Sequence, residues 1–263
     1  MIERIGYEKM WHLERTCKNR TKWIRIFALG ILVVLSAKIQ GGLGDGGFFR
    51  QDIVKKEKQL TPAQTREAVS YVSASVTMEK PQIALTFDDG PSAACTPRLL
   101  DGLKERGVKA TFFLIGENAE RYPEIVKRID EEGHLIGNHT YHHVEISRVS
   151  DETAYREIED ANQVIEKITG TCPEFMRPPF GSWQRELEME MDVLPVMWSV
   201  DPLDWTTKNA DEIVNKVVTE TGENDIILLH DCYDSSVDAA LRVIDILQEK
   251  GYEFVTVDEL ILN

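Results

Sequence analysis

The 263-residue chain has room for one large α/β domain or two small ones, and its 42% apolar and 29% charged composition is that of a folded protein. Its net charge of −15 is uneven: residues 1–40 carry eight Lys/Arg against three Glu, which leaves −20 on the remainder. A folded region that acidic repels a phosphate backbone, which argues against nucleic-acid binding. In chain order, Arg15, Lys18, Arg20, Lys22 and Arg25 precede an uncharged apolar run from Ile26 to Ala37. That run is shorter than the ~20 residues of a membrane span and suits a signal h-region. Counted from Trp23 to Ile39, with Arg25 and Lys38 reaching the interface, it also makes a short anchor helix. Val34 and Ser36 have the spacing of a cleavage-site pair, while the long basic n-region favours an uncleaved anchor with the C-terminal bulk outside.

Residues 1–40 are therefore expected to be a basic region with a signal anchor or signal peptide. Residues 41–80 are expected to be a tether and stalk, starting with Gly41-Gly42-Leu43-Gly44-Asp45-Gly46-Gly47 and including a helix from Thr61-Pro62. The main domain then covers 81–263. Cys17, Cys95, Cys172 and Cys232 form neither a disulfide framework nor a C-x-x-C pair.

Seven β-rich runs follow: Ile83–Phe87, Ala110–Leu114, His134–Asn138, Phe175–Arg177, Leu194–Val200, Asp225–His230 and Glu253–Val257. Helical stretches separate most of them, clearest at Asp151–Thr169 between Ser150 and Gly170, at Ala210–Glu220 and at Ser236–Lys250. Gly107, Gly133 and Gly251 each stand directly before a strand, where a left-handed helix cap is needed. The alternation predicts an α/β fold, most simply a distorted, incomplete (β/α)7 barrel of parallel strands, with an open doubly wound sheet as the runner-up. Chemistry in such folds gathers at the C-terminal strand ends. Asp88 and Asp89 follow the first strand, His139 and His143 the third, and Asp201 and Asp204 the fifth. Arg177 ends the fourth strand and His230 the sixth.

In His139-Thr140-Tyr141-His142-His143 the outer histidines share a face if the segment makes one helical turn. Two imidazoles and a carboxylate form a three-ligand metal site with an open position. His142 points elsewhere on that turn, and His134 and His12 read as structural or solvated. Asp88-Asp89-Gly90-Pro91 taken alone is common turn chemistry. Adjacent carboxylates at a strand end can also divide labour between binding a metal and taking a proton from water, with an amide or ester carbonyl as the natural target.

These residues carry a resemblance. Thr86-Phe87-Asp88-Asp89-Gly90-Pro91-Ser92 resembles the first motif of the polysaccharide deacetylase family (carbohydrate esterase family 4, the NodB-homology domain). The 139–143 segment is similar to its second motif and Arg177-Pro178-Pro179-Phe180-Gly181 to its third. Asp201-Pro202-Leu203-Asp204-Trp205 is similar to the fourth and Leu228-Leu229-His230 to the fifth, all in the family's order. The resemblance implies that Asp89, His139 and His143 hold a divalent metal, usually zinc, with cobalt or another ion able to serve. It implies that Asp88 is the general base and His230 the general acid. Arg177 would orient Asp88, and Asp204 would brace Arg177. The Phe180 amide would stabilise the oxyanion, and Trp205 and Leu228 would line the acetyl pocket. Position 180 is Phe where Tyr is frequent, and the acidic stretch Trp183–Val193 looks short.

The expected activity is removal of N-acetyl groups from GlcNAc-type sugars of a polysaccharide, most naturally peptidoglycan, with chitin-like or poly-GlcNAc chains as alternatives. An O-acetyl xylan esterase of the same family is the rival enzyme, and a silent glycan-binding protein the rival of another class. The expected partner is an acetylated glycan, with the membrane added if the leader is uncleaved, and no obligate protein partner is evident.

Overall fold

Runs that are apolar at nearly every position, instead of alternating, are what a sheet covered on both faces requires. In the computed structural model, which describes residues 80–183 and 193–262, these runs form seven strands. They are β1 (Gln82–Asp88), β2 (Thr111–Leu114), β3 (Leu135–Asn138), β4 (Phe175–Met176), β5 (Leu194–Pro195), β6 (Ile226–His230) and β7 (Glu253–Val255). The expectations for the leader, the Gly-rich tether, the Thr61-Pro62 helix and the acidic stretch at 184–192 lie outside the described residues.

Every strand pairing is parallel. The order is β5-β4-β3-β2-β1-β6, with β7 also on β1. Ala84 pairs with Ile226 on one edge and Val255 on the other, so β7 holds the first part of the edge that β2 takes from Thr86 onward. A bridge from Val200 to Ile227 draws the two ends of the sheet together. The result is a curled, incomplete barrel, as the strand–helix alternation predicted.

The fifth strand is shorter than its sequence suggests. Only Leu194–Pro195 pair as a strand, instead of Leu194–Val200. Pro195 has no N–H to give a ladder. Further along, the carbonyls of Val196 and Met197 accept hydrogen bonds from the buried Arg177 guanidinium, at 3.2 Å each.

Helices cover the outside: α1 (Thr96–Arg106), α2 (Gly116–Arg121), α3 (Pro123–Glu131), α4 (Asp151–Thr169), α5 (Ala210–Glu220), α6 (Asp234–Glu249) and α7 (Val257–Leu262). The ends of α4 follow from its flanks. Ser150 Oγ accepts from the Thr153 N–H at its start, and Gly170 takes a left-handed φ of 77° at its stop. In α6, Val237, Ala240, Val243, Ile244 and Leu247 recur at helical spacing and are buried. The helix begins at Asp234, two residues before the predicted Ser236. Among the described residues no helix is long and apolar enough to cross a membrane.

Alternation along β1 divides the core in two. Ile83, Leu85 and Phe87 face the helices, packing in one cluster with Leu99, Leu103, Val243 and Leu247. Each such side chain contributes about 1.5–3 kcal/mol by leaving water. Ala84, Thr86 and Asp88 face the barrel interior, where Ala84 shares a smaller cluster with Phe113, Phe175 and Val196. Thr86 and Asp88, with His230 paired to Asp88, therefore come from the inward face of the sheet.

Candidate active site

Strand register sets the first contacts. The last residue of β1, Asp88, is paired directly with His230 of β6 and with Phe113 of β2. The chain then turns sharply through Asp89, whose φ of 70° is left-handed. Asp tolerates that region better than most residues, but it persists only where the surroundings enforce it. Here Asn118 Nδ2 donates to the Asp89 carbonyl at 2.9 Å and the Ile115 N–H to the Gly90 carbonyl at 3.0 Å.

The histidine segment departs from expectation in form. Residues 139–143 make no helical turn; Thr140 and His143 instead take left-handed φ values of 63° and 57°. Side chains have captured the amides that a helix would use. Asn138 Oδ1 accepts the Thr140 N–H at 2.7 Å, and Glu157 on α4 accepts the Tyr141 and His142 N–H groups at 3.1 and 2.8 Å. The loop still brings the rings of His139 and His143 to 5.0 Å. His142 turns away to Glu157, at 2.8 Å. His134 is structural: its Nδ1 accepts the Ala110 N–H at 3.1 Å, and burial pushes its pKa down to about 4.

Asp89, His139 and His143 converge. Asp89 Oδ1 lies 3.4 Å from His139 Nε2 and 3.3 Å from His143 Nε2. One ligand atom from each of the three falls within 4.8 Å of the others, an arrangement that could hold a cation. Two further observations fit a metal. Asp89 Oδ1 is buried with no hydrogen-bond partner, which costs free energy unless a cation meets it. His139 Nδ1 sits 2.6 Å from the Arg177 carbonyl, which can only accept, so Nδ1 carries a proton and Nε2 is the ring nitrogen turned toward Asp89. Burial, reinforced by His139, holds the His143 pKa down and favours its neutral, ligating form. Burial raises the Asp89 pKa, but the three neighbouring histidines, His139 first, outweigh it and hold it below the ordinary carboxylate value.

Asp88 and Arg177 form a buried pair. Arg177 is wholly inaccessible and donates from Nη1 to Asp88 Oδ1 at 2.8 Å and to Thr86 Oγ1 at 2.6 Å. Its guanidinium also lies 4.2 Å above the Phe113 ring. The other Asp88 oxygen, Oδ2, is 3.8 Å from His139 Nε2, beside the ligand cluster. The expectation that Asp204 braces Arg177 is corrected. Asp204 Oδ1 accepts from His230 Nδ1 at 2.7 Å and its Oδ2 from the His230 backbone N–H at 2.9 Å, while Arg177 is satisfied by Thr86, Asp88 and two carbonyls. Burial alone would lower the His230 pKa. The hydrogen bond and charge of Asp204, with smaller contributions from Asp88 and Asp89, instead push it up to about 9. Asp201 shapes the loop, accepting the Leu203 N–H at 2.8 Å.

Phe180 occupies a left-handed kink (φ 60°, ψ 12°), with its ring exposed and edge-on to His143 at 4.8 Å. Trp205 is exposed beside Asp204, and Leu228 is buried on the same strand face as His230. Sequence reasoning missed three residues: Thr86, which relays between Arg177 and the Ile227 carbonyl; Asn138, which holds the histidine loop to α4; and Asp231. Asp231 is fully buried, and that burial raises its pKa to about 7. A polar residue directly beside a strand-end histidine was the available signal for the last.

A family profile described as polysaccharide deacetylase matches residues 75–196. A peptidoglycan-N-acetylglucosamine deacetylase of Bacillus cereus is 41% identical over 207 residues, covering 76% of this chain and 75% of its own length. The peptidoglycan-N-acetylmuramic acid deacetylase PdaC of Bacillus subtilis is 38% identical over 80% of this chain, which spans only 45% of that protein. The solved structure of Bacillus subtilis PdaC superposes with a TM-score of 0.68 at 42% identity, over 69% of this chain and 90% of that one. The Xyl-CE4 domain of a multidomain xylanase, from the hindgut metagenome of Trinervitermes trinervoides, gives 0.65 at 34% identity over 70% and 91%. With this fold, this cluster and a relative 41% identical that is matched over three quarters of its length, the chain belongs to the polysaccharide deacetylase family.

Proposed function

We propose that this protein is a metal-dependent amide hydrolase that removes N-acetyl groups from GlcNAc residues of peptidoglycan outside the cytoplasm. The observation that carries the reading is the Asp89–His139–His143 cluster, flanked on register-paired strand ends by a carboxylate, Asp88, and an imidazole, His230. Two nitrogens and one oxygen suit zinc and leave coordination positions open. A divalent ion there supplies Lewis acidity, making water acidic and polarising a carbonyl.

The chain's own groups do the rest. Asp88, oriented through Oδ1 by Arg177, takes the proton of the attacking water at Oδ2. The Phe180 N–H, turned by its left-handed kink, stabilises the developing oxyanion. His230 donates a proton from Nε2 to the departing amine, with Asp204 stabilising its imidazolium through Nδ1. The exposed rings of Phe180, Trp205 and Tyr233 offer sugar-stacking faces around the centre.

The names of the relatives support peptidoglycan as the polymer, and an extracytoplasmic polymer agrees with reading residues 1–40 as an export signal or anchor. The 34% identical xylanase domain motivates the rival ester reading. Acetate release should be measured from peptidoglycan, GlcNAc oligomers and acetylated xylan, with and without chelator. Release from the N-acetylated substrates, abolished by chelation and restored by zinc, is expected. Activity on xylan alone, or insensitivity to chelation, refutes the reading.

A further inference from the structure

We propose that Asp231 is a positioning residue of the metal centre, a buried wedge that sets the Asp-Asp-Gly-Pro turn so that Asp89 faces the two histidines. The proposal rests on the metal-site reading above and extends it to a side chain that touches neither substrate nor ion. Asp231 follows His230 at the end of β6 and is fully inaccessible. One oxygen, Oδ2, accepts from Thr96 Oγ1, which in turn accepts the Ser92 N–H at 2.7 Å. The carboxyl is thus bonded, through one hydroxyl, to the residue that closes the turn. Its other oxygen, Oδ1, has no hydrogen-bond partner.

The turn and the carboxyl share one space. A Cβ at Gly90 would lie 2.5 Å from Asp231 Oδ1, 2.6 Å from Oδ2 and 2.8 Å from Cγ. These are its three nearest neighbours, so the carboxyl of Asp231 is what first demands glycine at 90. On the opposite side Ile115 and Asn118 hold the Gly90 and Asp89 carbonyls. The left-handed Asp89 is therefore gripped between the β2 end on one flank and Asp231 on the other. A residue held in that region without such support would relax, and its carboxylate would leave the histidines.

The test is zinc affinity, measured by competition with a chromophoric chelator on the full chain, alongside thermal melting. Asp231→Ala should weaken zinc binding roughly 10–100-fold, the usual result of removing an outer support of a ligand. Asp231→Asn keeps both the volume and the acceptor for Thr96 and should bind zinc like the parent. Gly90→Ala should weaken zinc binding in the parent but add little in an Asp231→Ala background, where the clash is gone. If Asp231→Ala does not fold, Thr96→Val and Gly90→Ala carry the test, and both should bind zinc more weakly. Parent-like affinity in Asp231→Ala, or an equal Gly90→Ala penalty in both backgrounds, overturns the proposal, as does parent-like affinity in the two substitute variants. A parent protein that binds zinc yet releases no acetate from any glycan would refute the functional reading and leave this one standing.

Discussion

Replacing Asp204 with Asn tests the acid assignment most directly. Asp204 is the leading reason the His230 pKa is raised, and Asn keeps the shape and one acceptor while removing the charge. A histidine with a pKa of about 9 is ~90% protonated at pH 8, whereas one at the ordinary 6.5 is only ~3% protonated. Loss of the whole shift would therefore cut the supply of general acid at pH 8 roughly thirtyfold and hardly change it at acid pH. A cation beside Asp89 offsets the smaller contributions of Asp88 and Asp89, so the alkaline limb of the loaded enzyme lies below about 9. The Asp204 contribution survives, because it reaches the ring through Nδ1. Stability carries the same sign. A pKa raised on folding stabilises fully below 6.5, and that gain is lost as pH climbs through about 9. Asp204→Asn should thus cost up to roughly 3 kcal/mol at acid pH and progressively less in alkali. The assay is the initial rate of acetate release against pH for both proteins, with denaturant melts at the two extremes. An alkaline limb that stays put, or a rate that falls equally at every pH, refutes the reasoning.

Other perturbations separate the remaining groups. Asp88→Asn should leave zinc stoichiometry intact by atomic absorption while kcat falls about 10²–10⁴-fold, and His139→Ala should lose the metal itself. Gly137→Ala places a Cβ 2.4 Å from Phe113 Cδ1 and 3.1 Å from the Phe175 carbonyl, and Phe113 is the ring beneath Arg177. It should cost about 1–3 kcal/mol in a melt and lower kcat as well, since the displaced ring lies under Arg177, which holds Asp88.

The order of elements was readable because it rests on local physics. Ser150 and Gly170 bracket a helix by capping, and β1, β2 and β6 are apolar runs of a length that suits only buried parallel strands. Placing Asp89, His139, His143 and His230 at strand ends then brought them together without any knowledge of side-chain geometry. Partner choice was not readable. Asp204 and Arg177 lie on loops and strands far apart in sequence, and whether a carboxylate meets a guanidinium or an imidazole depends on distances of a few ångströms set by packing. The 139–143 spacing is compatible with a helical turn, and only Asn138 and Glu157, through side chain-to-amide bonds, decide against it.

The partners of Arg177 bear on the enzyme's design. Arg177 needs acceptors on every side, because burying a guanidinium is tolerable only when its N–H groups are met. Thr86 and Asp88 supply two, and the others are the Val196 and Met197 carbonyls, drawn from what would have been the continuation of β5. The barrel is therefore irregular where Arg177 lies, its two edges meeting at the isolated Val200–Ile227 bridge in place of a full strand. A regular β5 would tie those carbonyls into the ladder and leave the charge that orients Asp88 short of partners. On this argument the incomplete barrel is a condition of the buried Arg177–Asp88 pair, and restoring a full strand there should cost Asp88 its orientation.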